Sequence, residues 1–236
     1  MSKIDDSMDK IREKKKRFLA REERIIEKAL QLLIRDGIDK VTVSAIAKEA
    51  GVGKGTVYKH FLTKTEILVR IVLDYERSIT NNLRIGIEKT EAGDPGAAAR
   101  SYFHARLTNP ALDRLVQQLE SRLEGDREVA DQMEELHGLR RSNIDALNSM
   151  IVKLIDKGVL EDVPPEYHYL SCWALAQGAV EAYFNVSYGA DVEDKEGFLR
   201  FVANIGITMG NKGQLLDNIP SQCLINVAES LETTES

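Results

Sequence analysis

The sequence predicts an all-α protein, and three observations carry that expectation. Apolar residues recur at spacings of three and four along most of the chain, only five of the 236 residues are proline, and 43% are hydrophobic. The length accommodates a small amino-terminal three-helix module followed by a larger helical domain. These are set here at residues 21–65 and 66–216, with a charged extension at 1–20 and a tail at 217–236. Charge divides the chain in the same way. Residues 1–64 hold 16 Lys and Arg against 10 Asp and Glu, net +6, and the remainder holds 16 against 28, net −12. A positive end attracts a phosphate backbone, and an acidic remainder argues against a protein that binds nucleic acid or anionic membrane over its whole surface.

Residues 1–20 are dense in charge, with Lys14, Lys15, Lys16 and Arg17 in a row. They read either as an arm that reaches neighbouring phosphates or as a solvated helical extension. From Arg21 to Asp36, the side chains Ile25, Ile26, Ala29, Leu30, Leu32 and Leu33 form a broad apolar face, and Gly37 ends the helix.

Residues 42–61, TVSAIAKEAGVGKGTVYKHF, carry a helix-turn-helix pattern. Val43, Ile46, Ala47 and Ala50 fall on one face of a two-turn helix that Thr42 can cap, and Gly51 stops it. A second helix of about eight residues follows Gly53. Its Val57 and Phe61 turn toward the first helix, leaving Lys54, Thr56, Tyr58, Lys59 and His60 on its other faces. A helix of this kind fits a B-DNA major groove. The letters AGVGKGT also suggest a phosphate-cradling loop, but that motif needs Gly where Lys48 stands and an apolar strand before it.

The stretch resembles the TetR family of bacterial transcriptional regulators. Thr42, Ile46, Ala47, Gly51, Val52, Gly55, Thr56, Tyr58, His60, Phe61 and Lys64 match that family's pattern. It departs at Gly53, where the family often has Ser, and at Thr65, where it often has Glu. The reading of the helix assigns base contacts to Lys54, Thr56 and Tyr58, with Gly55 permitting close approach, and phosphate contacts to Thr42, Lys59, His60 and Lys64. The resemblance implies the same phosphate role for Lys64, a homodimer joined through the last two large helices, and an effector chamber within the second domain.

Thr63 and Glu66 have capping-box spacing, so a connecting helix starts there and runs through Ile67, Leu68, Ile71, Val72, Tyr75 and Ile79 toward Arg84. A loop over residues 88–96 precedes a helix at about 97–108, and Pro110 opens the next, which Gly125 ends. Residues 126–156 form the longest periodic stretch, with His137 and Arg140 interrupting its apolar seam. Pro164 and Pro165 begin a helix to about Tyr188 that combines bulky aromatic residues with small Ala174, Gly178, Ala179 and Ala182. A last main helix carries Phe198, Leu199, Phe201, Val202, Ile205 and Met209, and Leu224, Ile225 and Val227 offer a docked turn in the tail.

The candidate chamber residues are Tyr102, Phe103, Arg106, His137, Arg140, Trp173, Gln177 and Phe184. With Arg106 or Arg140 facing inward, an amphipathic ligand bearing an anionic group is expected. No paired acids, Ser-His-Asp order or nucleotide loop emerges, so neither an enzyme nor a cofactor is expected. His168 and Cys172, four apart, make a weak zinc pair, and no metal site is assigned. Cys172 and Cys223 form no disulfide framework, and no signal or membrane-spanning run is present, so a cytoplasmic protein is expected. The sequence thus points to a ligand-responsive repressor that binds a palindromic operator as a dimer. The alternatives are a transcriptional activator or an architectural DNA-binding protein without sequence preference.

Overall fold

Of the two readings of the charged amino-terminal segment, the solvated helical extension is the one the structure holds, continuous with the first helix. In the computed structural model, which describes residues 3–189 and 192–214, α1 runs unbroken over Lys3–Asp36. Its charged first half therefore continues the helix that braces the module. α2 (Val43–Glu49) and α3 (Lys54–Val57) follow, and α4 (Lys64–Glu91) runs past the expected loop start at residue 88. α4 begins with the cap read from sequence: the Thr63 hydroxyl accepts the Glu66 N–H at 3.2 Å, and the Glu66 carboxylate accepts the Leu62 N–H at 2.6 Å.

The second half of the chain is built from α5 (Ala97–Leu107), α6 (Pro110–Leu123), α7 (Ala130–Asp156), α8 (Pro165–Phe184), α9 (Val186–Gly189) and α10 (Lys195–Thr208). A 3-10 turn at Arg127–Val129 interrupts the stretch read as one helix from residue 126. A break at Asn185 likewise ends α8 before the expected Tyr188. The docked turn expected at Leu224, Ile225 and Val227 and the tail at 217–236 lie outside the described residues. Among the described residues no helix is long and apolar enough to cross a membrane.

One core joins Ile25, Leu33, Ile46, Val57 and Phe61 to Ile67, Val69 and Val72 of α4 and on to Leu119, Leu123 and Leu136. The boundary drawn at residues 65 and 66 falls inside it, because the first three turns of α4 pack on both sides. A second cluster holds α5, α8 and α10 together. There Gly206 is a seat: any Cβ at this position would overlap the Phe103 ring, so only glycine lets α10 close over it.

Helices α4 and α7 run in the same direction. Arg140 pairs with Glu76, Asn143 with Thr80, and Lys153 with Glu91, so both helices advance together. This parallel alignment sets the geometry of the space between them.

Candidate DNA interface and ligand chamber

The reading unit is locked by contacts at its turn. The Thr42 hydroxyl accepts the Ala45 N–H at 3.1 Å, which starts α2. At the other end Arg24 reaches across from α1 and donates twice to the Ala50 carbonyl, at 2.9 and 2.6 Å. Gly51 then turns at φ +65°, and a Cβ there would stand 3.0 Å from the Arg24 guanidinium. Conformation and space therefore both require glycine.

The helical turn of α3 is shorter than the eight residues expected, and a run of turn hydrogen bonds ending with Phe61 N–H to the Val57 carbonyl at 2.9 Å carries it on to Phe61. Val57 and Phe61 are buried as their spacing required, leaving Lys54, Gly55, Tyr58 and Lys59 exposed with Thr56 beside them. Thr42 is exposed at the start of α2. The Lys54 ammonium sits 5.7 Å from the centroid of the Tyr58 ring, so the two form one cationic, hydrogen-bonding ridge.

Two residues of that set stand elsewhere. His60 was expected at a phosphate, but its side chain is only 1% exposed. Its ring stacks 3.9 Å from that of Phe18, with the Glu22 carboxylate 3.5 Å away, so it packs the module instead of facing out. The physical reason is the continuous α1, whose first half brings Phe18 over it. Lys64 donates to the Ile38 carbonyl at 2.7 Å, tying the loop after α1 to the start of α4. One of its three donors is thereby used inside the protein, and burial, followed by the nearby Arg122 charge, lowers its pKa.

Beyond the module, α4 through α8 and the end of α10 enclose a cavity of about 890 Å³. That is near the upper end of the range for small-molecule sites. Tyr102, Arg106, His137, Arg140, Trp173 and Gln177 line it, as the sequence suggested. Phe103 and Phe184 do not. Phe103 is buried against Gly206, and Phe184 lies under the Arg114 guanidinium, 4.9 Å from its ring centroid.

The polar end of the cavity is a connected network. Asp113, 1% exposed, accepts from the Tyr75 hydroxyl, from Arg106 through two nitrogens, and from the Gln117 amide at 2.6 Å. Arg106 also donates to the Tyr102 hydroxyl at 2.7 Å and to Gln177 at 3.3 Å. Arg140 lies between Glu76, at 2.9 Å, and Glu120, which it holds through both terminal nitrogens.

These partners decide the protonation states. Burial acts to lower the pKa of each guanidinium, but hydrogen bonds to Asp113 and Glu120 carry both arginines above their ordinary range. Burial, reinforced by the Asp113 charge, raises Tyr75. Burial pushes Tyr102 up to about 12 against the opposing Arg106. Both phenols are therefore neutral at physiological pH, Tyr75 donating to Asp113 and Tyr102 accepting from Arg106.

An anionic ligand was expected because arginines faced inward, but both are already paired with carboxylates. Asp113, Gln117, Glu120 and Glu124 line the cavity from α6 at intervals of four, three and four, yet they were not among the candidates. Their spacing was visible, but a polar stripe on an amphipathic helix is ordinarily its solvent face. Glu76 was detectable as a carboxylate in the apolar series Val72, Ile79, Leu83. The other pair that was weighed makes separate contacts: His168 Nε2 lies 3.0 Å from the Glu161 carbonyl, and burial pushes the Cys172 thiol up to about 11.

Comparison with known proteins agrees with this geometry. The family model for bacterial regulatory proteins of the tetR family matches residues 25–71, the stretch that holds α2, α3 and the start of α4. That match covers the amino-terminal module and leaves the larger helical domain outside it. Among similar proteins, the regulator TtgR of Pseudomonas putida is 29% identical over 120 residues, 51% of this chain and 57% of that protein. The chain thus aligns with little more than half the length of that curated relative.

Solved structures match more of the chain. The ketosteroid regulator KstR2 of Mycobacterium tuberculosis has a TM-score of 0.61 at 17% identity, covering 81% of this chain and 95% of its own. AibR, solved with isovaleryl coenzyme A and operator DNA, has a TM-score of 0.60 at 15% identity, covering 80% and 97%. At such identities the likeness concerns the fold alone: an amino-terminal helix-turn-helix followed by a larger helical domain.

Proposed function

We propose that this chain is a DNA-binding transcriptional regulator of the TetR family: a repressor whose dimer holds a palindromic operator and releases it when a small molecule fills the chamber. The observation that carries the reading is α4. Its first turns share one core with Val57 and Phe61 of the reading unit through Ile67 and Leu68, and its middle walls the cavity through Tyr75, Glu76, Ile79 and Leu83. A ligand that displaces the middle of this helix must move what rests on its beginning. Differential binding of a few kcal/mol between two spacings of the modules suffices to switch affinity.

In this reading Lys54, Thr56 and Tyr58 meet base edges, Gly55 allows close approach, and Thr42, Lys59 and the remaining donors of Lys64 hold phosphates. The dimer forms through α8 and α10. Leu170, Ala174 and Gly178 make an exposed strip of small and apolar side chains on α8, beside exposed Trp173, and α10 exposes Phe201 and Ile205. A second copy packed there sets two reading helices about 34–36 Å apart for successive major grooves. Such a protein works where the chromosome is, in the cytoplasm.

Selection of genomic fragments on the purified protein, followed by fluorescence anisotropy, tests this. Lys54→Ala is expected to weaken operator binding by about 1–3 kcal/mol, with Tyr58→Ala acting similarly and neither changing the helical circular dichroism. Equal affinity for operator and random duplex at moderate salt would instead favour the architectural role.

A further inference from the structure

We propose that the chamber takes an amphipathic organic cation, its charged head against Glu76 and Glu120 and its apolar body toward the far end of α7. This rests on the reading of the cavity as the effector site and names the chemistry of what enters.

The wall carries an excess of negative charge. Five carboxylates line the cavity, on Glu76, Asp113, Glu120, Glu124 and Glu161, against the two guanidiniums of Arg106 and Arg140 and no lysine. The inner part is also unbalanced. Arg106 is matched by Asp113, but Arg140 alone serves both Glu76 and Glu120, leaving one negative charge in excess where Glu76 is buried. An entering anion would have to break existing pairs and then face that excess. A cation would complete the second pair, which is how a desolvated carboxylate becomes tolerable.

Aromatic faces support the same sign. Tyr75, Tyr102, Tyr169 and Trp173 line the cavity, and the Arg106 guanidinium already stands 5.7 Å from the Tyr102 centroid. Carboxylates combined with π faces suit an alkylated ammonium group, which has few or no hydrogen bonds to donate.

Polarity is graded along the parallel pair α4 and α7. Glu76 and Arg140 mark the charged end, after which Ile79, Leu83, Leu147, Ile151 and Leu154 line the space as far as Glu161, whose carboxylate accepts the Gly213 N–H. From Arg140 to Leu154 the α7 wall rises about 21 Å, so the head group has a long apolar trough beyond it.

Three probes with one tail and different heads provide the test: dodecyltrimethylammonium, dodecanoate and dodecyldimethylamine oxide, each below its micelle concentration at mildly alkaline pH. Calorimetry on the full chain is expected to rank the ammonium at least about tenfold tighter than the amine oxide, with dodecanoate weakest. Glu120→Gln, which neutralises the excess, is expected to remove most of that advantage and leave amine oxide binding within about twofold. Glu124→Gln, at an exposed wall position, is a second variant less able to disturb folding and moves affinity the same way by less. Dodecanoate binding tightest, or all three binding equally, overturns the cation assignment while retaining the chamber. Absence of binding by all three in a protein with an intact melting transition overturns the chamber reading, and the assignment with it.

Discussion

The two stretches of α4 stand in different material. From Ile67 to Leu73 nearly every side chain is buried in a continuous core shared with α1, α2, α3 and α6. From Tyr75 to Leu83 the same helix faces a void of about 890 Å³ edged by ion pairs. Close packing fixes the surface a protein presents, whereas a void with organised polar walls sacrifices stability to keep space for something else. In the proposed function, the packed end of the helix presents the reading unit and the hollow end receives the effector.

The largest effect that would sharpen this contrast lies in the polar wall. Asp113→Ala leaves Arg106 buried without its carboxylate and is expected to cost about 3–5 kcal/mol in urea unfolding. The double variant Asp113→Leu with Arg106→Met should recover much of that loss, since an apolar replacement removes both desolvated charges. A full loss in the double variant would mean that the network stabilises the fold by its charges and not merely by being complete.

The next comparison sets one leucine in each material. Leu33→Ala, in the closed core, is expected to cost about 3–4 kcal/mol because a new cavity opens. Leu154→Ala, on the chamber wall, should cost distinctly less, because the space beside it already exists and its contacts lie on one side only. Equal losses would break the distinction between packed and hollow regions. The smallest expected effect is at Gly53, the cap of α3, where no side-chain cap bond is made and a new Cβ would lie 4.0 Å from the Thr56 hydroxyl. Gly53→Ser is expected to raise stability by a few tenths of a kcal/mol, seen as a small rise in Tm.

The same contrast explains what the sequence disclosed. The module is specified by neighbours three and four apart, a cap and a glycine, so Thr42, Gly51, Val57 and Phe61 could be read directly. The burial of His60 was not legible because the residue covering it, Phe18, is 42 positions earlier, in a segment whose charge gave no sign of packing on the module. Much of the chamber depends on distant pairs: Arg140 meets Glu76 from 64 residues away, and Gln177 meets Gln117 from 60. Periodicity exposed Arg140 as an anomaly in an apolar seam but had no means of naming its partners. The carboxylates that already occupy Arg106 and Arg140 were therefore not foreseen. Phe103 shows the same limit, because its seat is made by a missing side chain at Gly206 on another helix.

A helix that serves two surfaces also couples them by angle. Successive residues of α4 step about 100° around its axis, so the orientation of Ile67 into the core of the amino-terminal module and of Glu76 toward the chamber are two readings of one dial. Adding or deleting one residue between Leu73 and Tyr75 would keep every side chain of both faces yet swing one past the other by more than a quarter turn. The nine-residue interval from Ile67 to Glu76 is therefore itself a specification, one that no substitution can rewrite and any insertion would.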